Sequence, residues 1–174
     1  REVLPHMRKA GEGMVVNVST VIGRVAIPFF GIYQAGKWGL EGLLETLRYE
    51  LSSTGIDVVI VEPGPFATEL VANSPAPEDE ERLDDVAGLQ QTLDNMMSAF
   101  QNNVFQNPDA PVDPQILVDS MIELIEMQPG ERPFRTVAGL DFGVREINRL
   151  SEPYRAQALA GLGLEHLEGV GTAA

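Results

Sequence analysis

The sequence predicts an α/β fold in which a parallel sheet is flanked by helices, and three observations predict it. Met14 to Val18 and Ile56 to Val61 are short apolar runs rich in β-branched residues, the pattern of strands buried on both faces. Between them lies a helix of about residues 32–53, with Leu40, Leu43, Leu44, Leu47 and Leu51 at helical spacing. Strand, helix and strand in that order form a βαβ unit, whose strands are parallel and whose crossover is right-handed.

The elements follow in chain order. Residues 1–9 read as the tail of a helix closed by the Gly11/Gly13 pair, so the chain opens at Arg1 inside a helical pattern. After the strand at Met14 to Val18 comes a Gly- and Pro-containing loop from Gly23 to Gly31, then the long helix, with Gly55 as its stop signal. Five of the six residues from Ile56 to Val61 are Ile or Val, and Pro63-Gly64-Pro65 ends that strand. Residues 66–110 form a long excursion: a Pro-rich loop, then a helix with Leu83, Val86, Leu93, Met96, Met97 and Phe100 on its apolar side. Apolar residues at that spacing predict core packing rather than cofactor contact. Asp113 is the expected cap, and Pro114 the first turn, of a helix running to about Met127. Phe134 to Ala138 is a third strand candidate, and residues 144–174 begin as helix and end as a Gly/Ala tail. There is no internal repeat and no separable second domain; residues 1–150 read as one domain and 151–174 as its terminal helix and tail.

Composition narrows the function classes. At 174 residues the chain is one domain with room for a real core. It carries 12 Lys+Arg against 26 Asp+Glu, a net charge of −14, which repels nucleic acid and anionic membranes. The charge is uneven. Residues 1–57 hold six basic and six acidic residues, 58–110 one Arg against ten acids, and 111–174 five Arg against ten. The densest block, Glu78 to Asp85, reads as a solvated helix start, because carboxylates favour the positive end of the helix dipole. Without cysteine there is neither a disulfide, a thiolate metal site nor a cysteine nucleophile, and the isolated His6 and His166 lack partners at metal-ligand spacing. No G-x-S-x-G motif marks a serine hydrolase. Asn17-Val18-Ser19 matches the glycosylation pattern but sits in a buried strand. With no apolar stretch near the roughly 20 residues of a membrane span, and no signal-peptide core, the expectation is a soluble cytoplasmic protein.

The residues that carry chemistry lie at one edge of the predicted sheet. Tyr33 and Lys37 open the long helix at i, i+4, which places them on one face about 5–6 Å apart at the β-carbons. A phenol, with an ordinary pKa of about 10, is a poor acid-base group at neutral pH. An adjacent ammonium favours the phenolate and brings proton transfer into the working range. The hydroxyls Ser19 and Thr20 follow the first strand, and Pro63 to Thr68 follow the second. Both therefore sit at carboxyl ends, where open parallel sheets bind ligands.

N-V-S-T-x-x-G-R at 17–24, Y-x-x-x-K at 33–37 and V-E-P-G-P-x-x-T at 61–68 together resemble the short-chain dehydrogenase/reductase family, over about residues 5–150. The resemblance implies a Rossmann-like fold, NAD or NADP as cofactor, and hydride transfer between a small-molecule alcohol and a carbonyl. It implies Tyr33 as general acid/base, Lys37 as the group that holds the nicotinamide ribose and lowers the Tyr33 pKa, and Thr20 as the substrate-orienting hydroxyl. Pro63, Gly64, Phe66 and Thr68 correspond to the stretch facing the nicotinamide carboxamide, Phe66 through its backbone and Thr68 through its hydroxyl. Residues 66–110 correspond to the substrate-covering segment, and the helix at 32–53 to the surface through which the family forms homodimers or homotetramers. Gly36, Gly39 and Gly42 fit such a close approach, since three helical glycines cost roughly 2–3 kcal/mol against alanine.

Three positions depart from the pattern. Thr20 stands where serine is usual; strand alternation favours it over Ser19, which faces the opposite side. Gln34 replaces a small residue and reads as a surface change. The glycine-rich turn that meets a dinucleotide's pyrophosphate is missing: Gly11-x-Gly13 precedes a strand, and Gly161-x-Gly163 lies near the end. The chain is therefore expected to be the C-terminal part of such a domain, without its first βαβ half and inactive on its own. The alternative is a non-catalytic binding or assembly module derived from the family.

Overall fold

The computed structural model describes residues 2–70, 73–74 and 87–169. The acidic block at 78–85, Leu83, Val86 and the last residues of the Gly/Ala tail lie outside them. Three parallel strands form one sheet in the order β1 (Gly13–Val18), β2 (Ile56–Pro63), β3 (Arg135–Ala138). Gly13 pairs with Ile56 and Val18 with Val61; Ile60 pairs with Arg135 and Pro63 with Ala138. The central β2 is buried throughout except at Pro63, which is why its sequence is nearly continuous Ile and Val.

Helix α1 (Leu4–Ala10) begins inside the chain instead of running in from Arg1. Pro5 explains the start, because a residue without an N–H fits a first turn. Gly11 closes α1 at φ 73, while Gly13 already belongs to β1, where a Cβ would press within 2.7 Å of Met7. Helix α2 (Gly31–Leu51) crosses from β1 to β2 as expected. Its Leu44 and Leu51 pack on Ile56, Val58 and Ile60, with Phe134 of the segment leading into β3. The other face of β2, Val59 and Val61, meets Leu124 together with Ala138 and Phe66.

Helix α3 (Ala87–Phe100) continues into a wide turn at Gln101–Phe105. It differs from the core helix the sequence predicts: Leu93, Met96 and Phe100 are half-buried, Met97 is exposed, and only Val104 of the following turn is buried. The Phe100 ring meets Phe105 edge-on at 5.3 Å, so this apolar edge closes on its own turn rather than on the sheet. Helix α4 (Gln115–Glu126) starts one residue later than expected but uses the expected cap, with Gln115 N–H donating to Asp113 Oδ1 at 2.8 Å. Helix α5 (Val144–Gly161) passes through the expected boundary at 150 and buries Val144 and Leu159. Among the described residues no helix is long and apolar enough to cross a membrane.

Candidate active site

The carboxyl ends of β1 and β2 carry the candidate residues. Ser19 extends the ladder by donating its N–H to Val61 O at 2.7 Å, and its side chain is buried. A Cβ on Gly23 would lie 2.9 Å from Ser19 Oγ, so the glycine at that place lets the turn close over the serine. Thr20 is half-buried. Its Oγ1 accepts from Ile22 N–H at 3.4 Å, opening the 3-10 turn Val21–Gly23, and donates to Pro63 O at 3.4 Å. The Thr20 hydroxyl thus joins the end of β1 to the end of β2.

Tyr33 and Lys37 lie on the same side of α2, as i, i+4 spacing requires. Lys37 Nζ is 5.8 Å from the centre of the Tyr33 ring and donates to Val18 O at 2.9 Å, which ties the helix to the last residue of β1. Tyr33 is 45% exposed, and no hydrogen bond joins its hydroxyl to Thr20 or Lys37. Phe30 stacks edge-on against its ring at 6.5 Å. Phe29 holds φ 70, in the left-handed region that bulky residues rarely occupy.

The loop between β1 and α2 is held from below by a residue the sequence misassigns. Gln34 is no surface change: it is 7% exposed, its amide oxygen accepts from Ile27 N–H at 2.7 Å, and its nitrogen donates to Ile27 O at 3.3 Å. A small residue there could not satisfy those two backbone groups. Trp38 adds a second anchor, donating its indole N–H to Ile22 O at 3.2 Å. Arg24 adds a third, donating to Asn148 Oδ1 at 3.0 Å and Ser151 Oγ at 3.2 Å on α5.

Beyond β2, Gly64 N–H donates to Ala138 O at 2.8 Å, and a Cβ on Gly64 would fall 2.1 Å from Leu140 O. Only glycine fits this approach. The Phe66 ring packs into the core beneath the sheet, against Gly139. Thr68 is exposed, its Oγ1 accepting from Leu70 N–H at 3.4 Å. Thr20, Tyr33, Lys37, Pro63 and Gly64 therefore gather at one edge, with Phe66 directed inward and Thr68 at the rim. A shallow cleft of 460 Å³, lined among others by His6, Glu12, Met14 and Pro129, lies instead near the amino ends of the strands.

A buried polar cluster behind this edge left only a faint trace in the sequence. Arg135 donates to Glu41 Oε2 at 3.1 Å and to Glu45 Oε2 at 2.9 Å, and Asn148 donates to Glu62 Oε2 at 2.5 Å. Burial pushes the Glu45 carboxyl up, but hydrogen bonding and charge from Arg135 outweigh it and hold the group below its ordinary range. The trace is Glu62 itself, which with Asp57 makes two carboxylates in a strand that is otherwise apolar.

Residues 1–79, which include all three motifs, match the profile of the short chain dehydrogenase family. The similarity to that family spans this segment, just under half of the chain. A longer similarity is to the uncharacterized oxidoreductase YusZ of Bacillus subtilis, 32% identical over 128 residues, covering 74% of this chain and 44% of that protein. A short-chain dehydrogenase from Streptomyces avermitilis superposes with a TM-score of 0.57 at 26% identity, over 92% of this chain and 55% of that one. One from Burkholderia cenocepacia, solved in complex with NADP, shares the fold at a TM-score of 0.52 and 21% identity, over 91% of this chain and 50% of that one. The parallel sheet with flanking helices is accordingly Rossmann-like. The chain spans less than half the length of the curated relatives it matches.

Proposed function

We propose that the protein carrying this chain is a cytoplasmic NAD- or NADP-dependent oxidoreductase that interconverts a small alcohol and a carbonyl. The observation that carries this reading is the joining of three segments at one sheet edge: Lys37 on Val18 O, and Thr20 on Pro63 O. The residues present fit a nicotinamide cofactor. Lys37 uses one of its three donors on Val18 O and keeps two for a ribose. Pro63, Gly64, Phe66 and Thr68 would face the carboxamide. The bound cofactor supplies or accepts the hydride.

The chain's own residues do the rest. Thr20 turns its single O–H from Pro63 O to the substrate oxygen and fixes its position. Tyr33 gives its phenolic proton to that oxygen in reduction and recovers one in oxidation. Lys37 holds the ribose and keeps the Tyr33 end of α2 against β1. Residues 66–110 cover the substrate, and α5 carries the domain past residue 150 to Gly161.

Titrating NADH and NADPH, followed by fluorescence, tests the assignment. The chain preceded by the family's amino-terminal half is expected to bind one of them saturably, and the chain alone neither. Binding of neither cofactor in either form overturns the assignment in favour of a non-catalytic assembly module.

The same reading makes α2 the surface of a homodimer or homotetramer. A Cβ on Gly36, Gly39 or Gly42 would meet no other element within 4 Å among the described residues, so none of those residues packs against the glycines. Ile32 is 91% and Leu43 65% exposed on the same helix. Gly39→Ala is expected to raise the urea stability of dilute chain by about 0.8–1.0 kcal/mol. In sedimentation it is expected to weaken self-association, because the added methyl stands where two helices approach. Unchanged association removes α2 from the interface.

A further inference from the structure

Glu62 is the last residue of β2 before Pro63 and is fully buried. Every element packed around it presents a polar group. Helix α2 presents Glu41, β3 presents Arg135, and α5 presents Asn148, while the loop after β1 brings Arg24 onto Asn148. Arg135 Nε stands 3.1 Å from Glu41 Oε2 and 3.5 Å from Glu62 Oε1, and its other branch is taken by Glu45. Farther out, Arg155 Nε is 3.9 Å from Glu45. One guanidinium thus stands between two carboxylates that are 4% and 0% exposed, and Oε1 of each has no hydrogen-bond partner. Two buried negative charges on one buried positive charge leave an excess that a low-dielectric interior removes by taking up a proton.

We propose that Glu62 is a proton-holding positioning residue, protonated through the mildly acidic range where ordinary carboxyls are ionised, and in that state fixing Pro63 and Gly64 between α2, β3 and α5. Burial, and then the charge of Glu41, push its carboxyl from 4.5 up to about 7, against lowering by Asn148, Arg135 and Arg24. A raised carboxyl means that the folded chain binds a proton the unfolded chain has lost. The stabilisation is complete below about pH 4.5 and is lost as pH rises through about 7. The positioning role rests on the reading of Pro63 to Thr68 as the cofactor-facing segment; the protonation does not.

The test is a carboxyl titration of ¹³C-Glu-labelled chain by NMR, with thermal unfolding at the same pH values. One Glu resonance, missing in Glu62→Gln, is expected to titrate near 7, and the Gly64 amide to shift with the same midpoint. Tm is expected to fall through that range in the parent chain, and Glu62→Gln, which mimics the protonated acid, to lose that fall. Glu41→Gln is expected to lower the Glu62 midpoint. Titration of every Glu carboxyl in the ordinary acidic range, readable on the unsubstituted chain, overturns the proposal, and so does failure of Glu62→Gln to fold. A midpoint near 7 without movement of Gly64 overturns the positioning role. Failure of the chain preceded by the family's amino-terminal half to bind NADH or NADPH, while the carboxyl titrates near 7, counts against the oxidoreductase reading alone.

Discussion

Tyr33→Phe in the protein that carries this chain is expected to lower turnover by about 10²–10⁴-fold, the usual contribution of a positioned acid-base group, while cofactor affinity stays nearly unchanged. The substitution removes one oxygen and keeps the ring, so the edge-on contact with Phe30 at 6.5 Å survives. That oxygen bonds neither Thr20 nor Lys37, and the side chain is 45% exposed. Its loss leaves neither of them without a partner, and stability should stay within about 0.5 kcal/mol. Lys37 keeps its bond to Val18 O, so the α2 end of the site holds its place. Single-turnover rates with thermal unfolding as control separate chemistry from folding. A fall in turnover at unchanged Tm assigns the proton transfer to Tyr33, and undiminished turnover removes it from the reaction.

Much of this geometry is legible in the amino-acid sequence, and the reason is local. A strand covered on both faces can afford almost no polar residue, so β2 announces itself as Ile and Val. Tyr33 and Lys37 are four residues apart on one helix, and helical spacing alone puts them together. The carboxyl ends of β1 and β2 share an edge because a βαβ crossover makes the strands parallel.

What the sequence hid depends on pairings between distant residues. Gln34 reads as an ordinary polar residue in a helical first turn; only the path of the loop at Ile27 makes it a buried clamp. The apolar side of α3 reads as core because periodicity reports a face without reporting what covers it. Asp57 and Glu62 were visible only as two flaws in an apolar strand. Their partners Arg132, Arg135 and Asn148 come from more than 70 residues away. A carboxylate in an otherwise buried strand does mark a place where the fold must bring a cation or a donor, but not which one.

Arg132→Met is expected to be the most damaging single change to stability, at about 3–5 kcal/mol. Asp57 and Arg132 form a salt bridge with side chains only 2% and 9% exposed, and Gly130 N–H also donates to Asp57 Oδ2 at 3.1 Å. Removing the guanidinium leaves the carboxylate buried with one backbone donor. It also strips the end of α4, where Arg132 donates to Leu124 O at 2.7 Å, Ile125 O at 3.3 Å and Met127 O at 2.8 Å. Those carbonyls form the negative end of the helix and have no donor of their own within it. Adding Asp57→Asn to Arg132→Met should recover part of the loss, because the uncompensated charge is gone while the helix end still lacks its donors. Urea unfolding of the three variants separates the two causes: full recovery in the double variant assigns the whole effect to the buried charge. No recovery assigns it to the helix end. Since domains of this size hold only about 5–15 kcal/mol in total, a loss within about 1 kcal/mol of zero for Arg132→Met would show that water reaches Asp57 and that β2 is anchored elsewhere.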